Sequence, residues 1–295
     1  MLVEIEVLQP GLFSTIQDGG RFGFLNFGVP ISGPMDIYAS RFGNLILNNS
    51  PVDTVLEITQ IGPALKFLGS ANIAIAGGNM SPQINGTDIY NGKIYTLKNG
   101  DILNFGQRLM GSRAYIAIQG GFKCEKVLES YSWFEGLTTQ FRLEKGMKLQ
   151  FESEEQKEVH PTSGVRFNNN YISESIVPVF AGPEFHSLPE EFQKKLCGKT
   201  FSVNSSSNRM AIQLNEMLEN FIQPIITGPV LPGTVQLTPS GKIIILMRDC
   251  QTTGGYPRVL QISREGMNIL SQKIPGDIVK FKLTENISQK EVPPV

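Results

Sequence analysis

Residues 84–105 read INGTDIYNGKIYTLKNGDILNF, with Asn-Gly pairs at Asn85-Gly86, Asn91-Gly92 and Asn99-Gly100. An Asn-Gly pair accepts the positive φ that a tight two-residue turn demands, so each pair set between apolar runs is a hairpin signal. Three such signals in one short stretch predict a meander and point to a mainly β fold. Working outward, apolar runs of similar rhythm lie at Asn72 to Ala76, Tyr115 to Ile118, Val177 to Ala181, Phe201 to Val203 and Val235 to Leu237. That spacing is the pattern of barrels and sandwiches. A turn glycine followed by an alternating strand recurs at Gly100 to Phe105, Gly146 to Phe151 and Gly276 to Phe281. Each of these can close a β unit. Between the second and third lies Glu152-Ser153-Glu154-Glu155-Gln156-Lys157-Glu158, charged, poor in apolar side chains and linker-like. The expected boundary is therefore near residue 160, giving an N-terminal lobe 1–160 and a C-terminal lobe 161–295.

Few helices are expected. Leu2 to Val7 alternates apolar and acidic residues as an edge strand would, leading into Gln9-Pro10-Gly11. Ser32 or Gly33 can cap a helix carrying Pro34 in its first turn, with Met35, Ala39, Phe42 and Ile46 on its buried side and Asn48-Asn49 at its end. Asp36, Ser40 and Asn44 then share another face, either a solvated one or a wall of a site. Ser187 to Gly198 reads as a second, short helix with Ser187 as its cap.

With 295 residues, 40% of them hydrophobic, the chain can bury a sizeable core. A formal net charge of −1 gives no basic footprint for nucleic acid and no polybasic patch for a membrane surface. No apolar run approaches the ~18 residues of a membrane span, and the first residues lack the pattern of a signal peptide, so a cytoplasmic location is expected. Cys124, Cys197 and Cys250 are widely separated, which suits neither a disulfide framework nor a zinc site. His160 and His186 lack metal-ligand spacing, and no metal is expected. Gly198-Lys199-Thr200 resembles the end of a phosphate loop, but Gln193 stands where that loop needs glycine. Met147-Lys148 lacks the neighbours of a biotin attachment site.

The polar stretch Gln251-Thr252-Thr253-Gly254-Gly255-Tyr256-Pro257-Arg258 lies between the apolar runs Lys242 to Met247 and Val259 to Ile262. It fits a site loop, or on its residues alone an ordinary hairpin connection. Arg21, Arg209 and Arg258 offer planar forks for a carboxylate, or structural ion pairs. Asp18, Asp36 and Glu57 can orient those arginines or accept a proton from water. Gln17, Gln236, Thr253 and Tyr256 can recognise an amide. Together they suit a small carboxylate or amide substrate.

Gly11 to Gly23, Gly28 to Asp36, Leu56-Glu57-Ile58-Thr59, Ile61-Gly62-Pro63, Arg209-Met210, Gly233 to Gln236, Gln251 to Arg258 and Pro275-Gly276-Asp277 together resemble the allophanate hydrolase subunit 2 family. The resemblance runs from about Leu8 to about Phe281. It implies two cyclophilin-like β-barrel lobes and a role as the C subunit of an ATP-dependent 5-oxoprolinase, opening 5-oxoproline to glutamate. The partners implied are a KipI-like, allophanate hydrolase subunit 1-type protein and a further amidohydrolase-type subunit. Since the chain has no nucleotide motif, the ATP site is expected in, or shared with, those partners. Two other family roles stand beside this one: a urea or amide carboxyltransferase half acting with a biotin carrier, and a non-catalytic KipA-like regulator of a KipI-like kinase inhibitor.

Carried over to this sequence, the resemblance implies catalytic Asp18, Asp36, Arg21 and Arg258. The implied substrate-binding residues are Gln17, Asn44, Glu57, Arg209, Gln236, Gln251, Thr252, Thr253, Gly254 and Tyr256. The loops around Arg21 and Arg258 are expected to converge on one anion-binding pocket facing a companion protein. The sequence departs from the family in three places. An L-G-S-R-S-T segment is here Leu128-Glu129-Ser130-Tyr131-Ser132-Trp133, a G-G-x-x-G-R-x-L segment survives as Arg142-Leu143, and S-D-R-M-G is Ser207-Asn208-Arg209-Met210-Ala211. Glu129 to Trp133 are accordingly left out of the expected site.

Overall fold

The computed structural model describes residues 2–152, 166–220 and 222–284, folded as two compact units. One comprises Met1–Ser173 with Ser271–Lys273, and the other Glu174–Leu270 with Ile274–Val295. Both are built chiefly of strands, as expected. Glu152, the first residue of the expected linker, is the last of the Lys148–Glu152 strand; the rest of that linker and the boundary expected near 160 fall on 153–165, outside the described residues. From Arg166 to Ser173 the chain still belongs to the first unit, and the reason is aromatic. Phe167 stacks on Tyr38 with ring centroids 5.4 Å apart and meets Phe42 at 5.0 Å, while Tyr171 packs edge-on against Tyr38.

In the first unit a 7-stranded sheet runs in the order Phe122–Lys123, Lys148–Glu152, Leu2–Gln9, Ala64–Phe67, Ile102–Phe105, Pro82–Ile84, Thr87–Asp88. A 5-stranded sheet runs Phe13–Gln17, Val55–Thr59, Met110–Ile118, Ala71–Asn79, Ile94–Leu97. The two long central strands of the second sheet are buried on both faces. Ile73, Ile75, Ile116 and Ile118 join the core with Ile5, Val7, Phe67 and Phe151. Ala74, Ala76 and Ala117 lie on the other side, where small residues let helix α1 (Ile37–Ile46) approach through Ala39 and Phe42.

The second unit holds a 7-stranded sheet ordered Phe201–Ser202, Ile278–Leu283, Ile176–Ala181, Arg258–Ile262, Thr234–Leu237, Ile243–Leu246, Ala211–Gln213. Its Ile176–Ala181 and Ile278–Leu283 strands pair in parallel. Helices α2 (Glu190–Gly198) and α3 (Arg264–Ser271) complete the set. Among the described residues no helix is long and apolar enough to cross a membrane.

Several local expectations change. Leu2–Gln9 is an internal strand, paired on one side with Lys148–Glu152 and on the other with Ala64–Phe67. Of the three Asn-Gly pairs only Asn85-Gly86 closes a hairpin, joining Pro82–Ile84 to Thr87–Asp88 with both turn residues at positive φ. Asn99-Gly100 connects strands of different sheets, which a turn signal cannot distinguish from a hairpin. Helix α1 is capped by Asp36, whose carboxylate accepts from the Ala39 N–H at 3.0 Å, and Ser32 and Gly33 lie outside it. Ser187 ends a short 3₁₀ turn and does not cap α2. Helix α3 was not expected; Ser263 Oγ accepts from the Gly266 N–H at its start, the cap that could have announced it.

Candidate functional site

The Gln17 to Arg21 loop leaves the edge strand of the 5-stranded sheet and is held by the segment omitted above. Asp18 Oδ1 accepts from Ser130 Oγ at 2.6 Å, Ser132 Oγ at 2.7 Å and the Gly20 N–H at 3.0 Å. Its Oδ2 accepts from the Tyr131 N–H at 2.7 Å. Arg21 is 1% exposed and donates from Nε to the Val127 carbonyl at 3.0 Å and from Nη2 to the Ser132 carbonyl at 2.8 Å. Gln17 accepts from the Gly33 N–H and donates to Thr15 Oγ1 and the Trp133 carbonyl. Leu128 and Glu129 take positive φ to bring the serines round. The departure of this segment from the family pattern hid its role. Yet Leu128 and the two serines are the positions of L-G-S-R-S-T that survive unchanged, and the serines were the available signal.

Asp36 and Glu57 belong to a second, sealed network. Both are 0% exposed. Glu57 Oε2 accepts from the Met35 N–H at 2.7 Å and Tyr115 Oη at 2.8 Å, and Tyr115 Oη in turn accepts from the Asp36 N–H at 2.7 Å. Asp36 Oδ2 accepts from Tyr171 Oη at 2.5 Å and Gln272 Nε2 at 2.7 Å. Gln272 also takes the Ser112 and Arg113 N–H groups on Oε1 and donates to the Arg113 carbonyl. Arg113 Nε lies 3.6 Å from Glu57 Oε1, and Nη1 donates to the Ser271 carbonyl. Burial pushes the Asp36 carboxyl above its ordinary range, opposed by the hydrogen bonds from Gln272 and Tyr171. Burial and then the nearby carboxylates push the Tyr115 and Tyr171 hydroxyls up, so both remain proton donors. Asn44 is likewise turned inward, donating to the Asp53 carbonyl at 2.8 Å. These groups fix the start of α1 and the strand beside it. Arg113, Tyr115, Tyr171 and Gln272 were not anticipated, because their partners are far away in sequence.

In the second unit the Gln251 to Arg258 stretch is no hairpin. Its flanking strands Ile243–Leu246 and Arg258–Ile262 lie on either side of Thr234–Leu237, and Thr253–Gly254 makes its own short ladder with Gly228–Pro229. Arg258 anchors it. Nε and Nη2 meet the two oxygens of Glu184 at 3.0 and 2.8 Å, the Arg258 N–H adds a bond of 2.7 Å, and Nη1 donates to the Pro229 carbonyl. The hydrogen bonds from Arg258 hold the Glu184 carboxyl below its usual range. Gly182 lets the chain pass: a Cβ there would lie 2.2 Å from the Arg258 carbonyl oxygen. Arg209 is paired with Asp249 at 2.7 Å, and Asn208 Oδ1 accepts from the Met210 and Ala211 N–H groups.

The loop thus has a rigid base and a polar crest. Thr253 and Tyr256 are exposed, Gln251 and Thr252 half-buried. Beneath Gly254 lies Gln236, 1% exposed, with Nε2 lacking a hydrogen-bond partner among the described residues. Cys250 is buried beside the loop and its thiol is pushed up to about 12 by that burial, a poor nucleophile. Among the described residues no group of three His, Cys, Asp or Glu is placed to hold a metal. Arg21 with Asp18, Asp36 and Glu57 belongs to the first unit, and Arg258 with Arg209 and Gln236 to the second.

A family model for the carboxyltransferase domain, subdomain A and B, matches residues 27–283. The chain belongs to this carboxyltransferase family. Its relatives in the family include the 5-oxoprolinase C subunit of Escherichia coli (strain K12), 28% identical over 284 residues that cover 94% of this chain and 90% of that protein. Urea amidolyase of Saccharomyces cerevisiae is 33% identical over 308 residues, covering 94% of this chain but 16% of that protein. Among solved structures, TTHA0988 superposes with a TM-score of 0.85 at 27% identity, covering 95% of this chain and 56% of that one. Kluyveromyces lactis urea carboxylase gives 0.83 at 26%, covering 94% and 27%. The chain therefore spans about half the length of the first of these structures and about a quarter of the second. The family resemblance read from motifs between Leu8 and Phe281 is borne out.

Proposed function

We propose that this chain is the C subunit of an ATP-dependent 5-oxoprolinase, opening 5-oxoproline to glutamate together with partner subunits. The observation that carries this is end-to-end correspondence with the Escherichia coli protein, 94% of one chain against 90% of the other. A lactam resists water, and phosphorylating its carbonyl oxygen creates a leaving group. ATP binds in, or at a site shared with, a subunit 1-type partner and an amidohydrolase-type partner. This chain contributes the crest of the Gln251 to Arg258 loop, with Thr252, Thr253, Tyr256 and Gln236 offering hydroxyl and amide groups to the substrate. Arg258 acts through the loop, since Glu184 and Pro229 occupy its donors.

The test is co-expression with those two partners. ADP and glutamate should form only when 5-oxoproline is supplied, and Arg258→Ala, by releasing the loop from its anchor, should lower turnover by about tenfold or more at similar yield of the assembly. A purified assembly of all three proteins without 5-oxoproline-dependent ATP turnover would sink the reading. The urea amidolyase match favours a second one, a carboxyltransferase half. It requires carboxyl transfer to urea from a biotinylated carrier, which the same preparation can be tested for.

A further inference from the structure

A cavity of about 460 Å³ opens in the first unit, and none of the candidate site residues lines it. Its origin is a break in strand register. Ala71–Asn79 and Met110–Ile118 slip between Met110 and Ala114, and Gly77 sits at φ +89° where a Cβ would come 2.6 Å from the Arg113 carbonyl oxygen. Asn91 ties the next turn to this bulge, donating from Nδ2 to the carbonyls of Gly77 at 3.1 Å and Gly78 at 3.0 Å. Those two bonds fix which way the amide points. The opposite atom, Asn91 Oδ1, is buried with no hydrogen-bond partner among the described residues. On the other wall Phe167, clamped against Tyr38 and Phe42, sets Arg166 at the rim.

Two cations line this cavity, Lys93 and Arg166, and among the described residues neither has an ion pair with an acid. That sets them apart from Arg209 and Arg258, which are occupied by Asp249 and Glu184. An unpartnered buried acceptor costs stability until a donor reaches it. A cavity of this size lined by two cations and the apolar surface of Met110 and Phe167, with that acceptor just behind its wall, has the make-up of a site for a small organic anion.

We propose that this cavity binds a small carboxylate with an N–H group beside it, the carboxylate between Lys93 and Arg166 and the N–H on Asn91 Oδ1. A lactam acid and a free α-amino acid both carry that chemistry. The choice of 5-oxoproline as the first probe rests on the proposed function; the chemistry of the cavity does not.

The test is titration of the intact, isolated chain, with no ATP and no partner, using four probes: L-5-oxoproline, L-glutamate, cyclopentanecarboxylate and inorganic phosphate. Saturable binding of 5-oxoproline or glutamate is expected, and the tighter of the two identifies the source. Cyclopentanecarboxylate, which keeps ring and carboxylate but has no N–H, should bind roughly tenfold more weakly, as should the preferred probe to Lys93→Gln or Arg166→Gln. Both substitutions lie at exposed positions, so the melting curve should be unchanged. The site is overturned if neither N–H probe saturates, if cyclopentanecarboxylate or phosphate binds as tightly as the better of them, or if the double variant binds like the parent. Binding of 5-oxoproline by a chain whose full assembly lacks turnover would keep the cavity and end the proposed function. An active assembly whose isolated chain shows no saturable binding of either N–H probe would do the reverse.

Discussion

Arg258 was identified in the sequence as a fork for a carboxylate, and it is one, but the carboxylate is the protein's own Glu184. Residue type revealed the chemistry and could not reveal the partner, because a bidentate pair inside the fold and one with a ligand demand the same side chain. Glu184, 74 positions away in sequence, carries no motif. The pair has a pH signature. Because Arg258 holds the Glu184 carboxyl below its usual value near 4.5, its stabilisation is fully present above that value and is lost as pH falls through the lowered native one. Glu184→Gln should therefore destabilise by about 1 kcal/mol at neutral pH, the pair being partly exposed to solvent. Urea unfolding of parent and variant should converge as the pH is taken towards 3, and a gap that is constant with pH would show that the charge contributes nothing.

Among the elements, helix α1 shows how far periodicity reaches. Met35, Ala39 and Phe42 are buried as their spacing required. The polar residues of the other face are buried as well: Asp36 at 0%, Ser40 at 3% and Asn44 at 0%. A helix covered on one side only would have left them in water; here the Tyr115, Gln272 and Tyr171 network receives Asp36, and the Asp53 carbonyl receives Asn44. Turn glycines and apolar runs made the strands legible because those signals are local. Which strands pair, and which acids become sealed in, depends on groups brought together only by folding. Asp36 gives a prediction of opposite sign to that for Glu184. Burial raises its native pKa above the ordinary 3.8, so its contribution is fully present below 3.8 and is lost as pH rises through the raised native value. Asp36→Asn keeps a side chain able to cap α1 and removes the titration. Measured by urea unfolding, the stability of the parent relative to this variant should fall as pH climbs from 3 to 7, and a difference that rises instead would refute the assignment.

For the molecule as a whole, the division into units does not follow the chain once through. Ser271–Lys273 belong with the first unit although the residues on either side of them belong to the second. A linker search by composition assumes a single crossing, and three residues returning to an earlier unit leave no compositional trace. Their importance is physical. Gln272 is 1% exposed and makes four hydrogen bonds, receiving the Ser112 and Arg113 N–H groups and donating to Asp36 and the Arg113 carbonyl. Lys273 adds a bond from Nζ to the Ile172 carbonyl. Removing one buried partner costs about 1–3 kcal/mol for each group left unpaired, and water entering the vacated space recovers part of that. Gln272→Ala in the full chain should therefore cost about 3 kcal/mol or more, well beyond a typical single substitution, and the loss should be read out in the first unit. Amide exchange would show it there: the N–H groups of Ser112 and Arg113 should lose protection in the variant, while those of the Thr234–Leu237 strand in the second unit keep theirs. Equal loss across both strands would mean that Gln272 supports the chain as a whole, and unchanged protection at Ser112 and Arg113 would mean that the first unit does not depend on the returning segment.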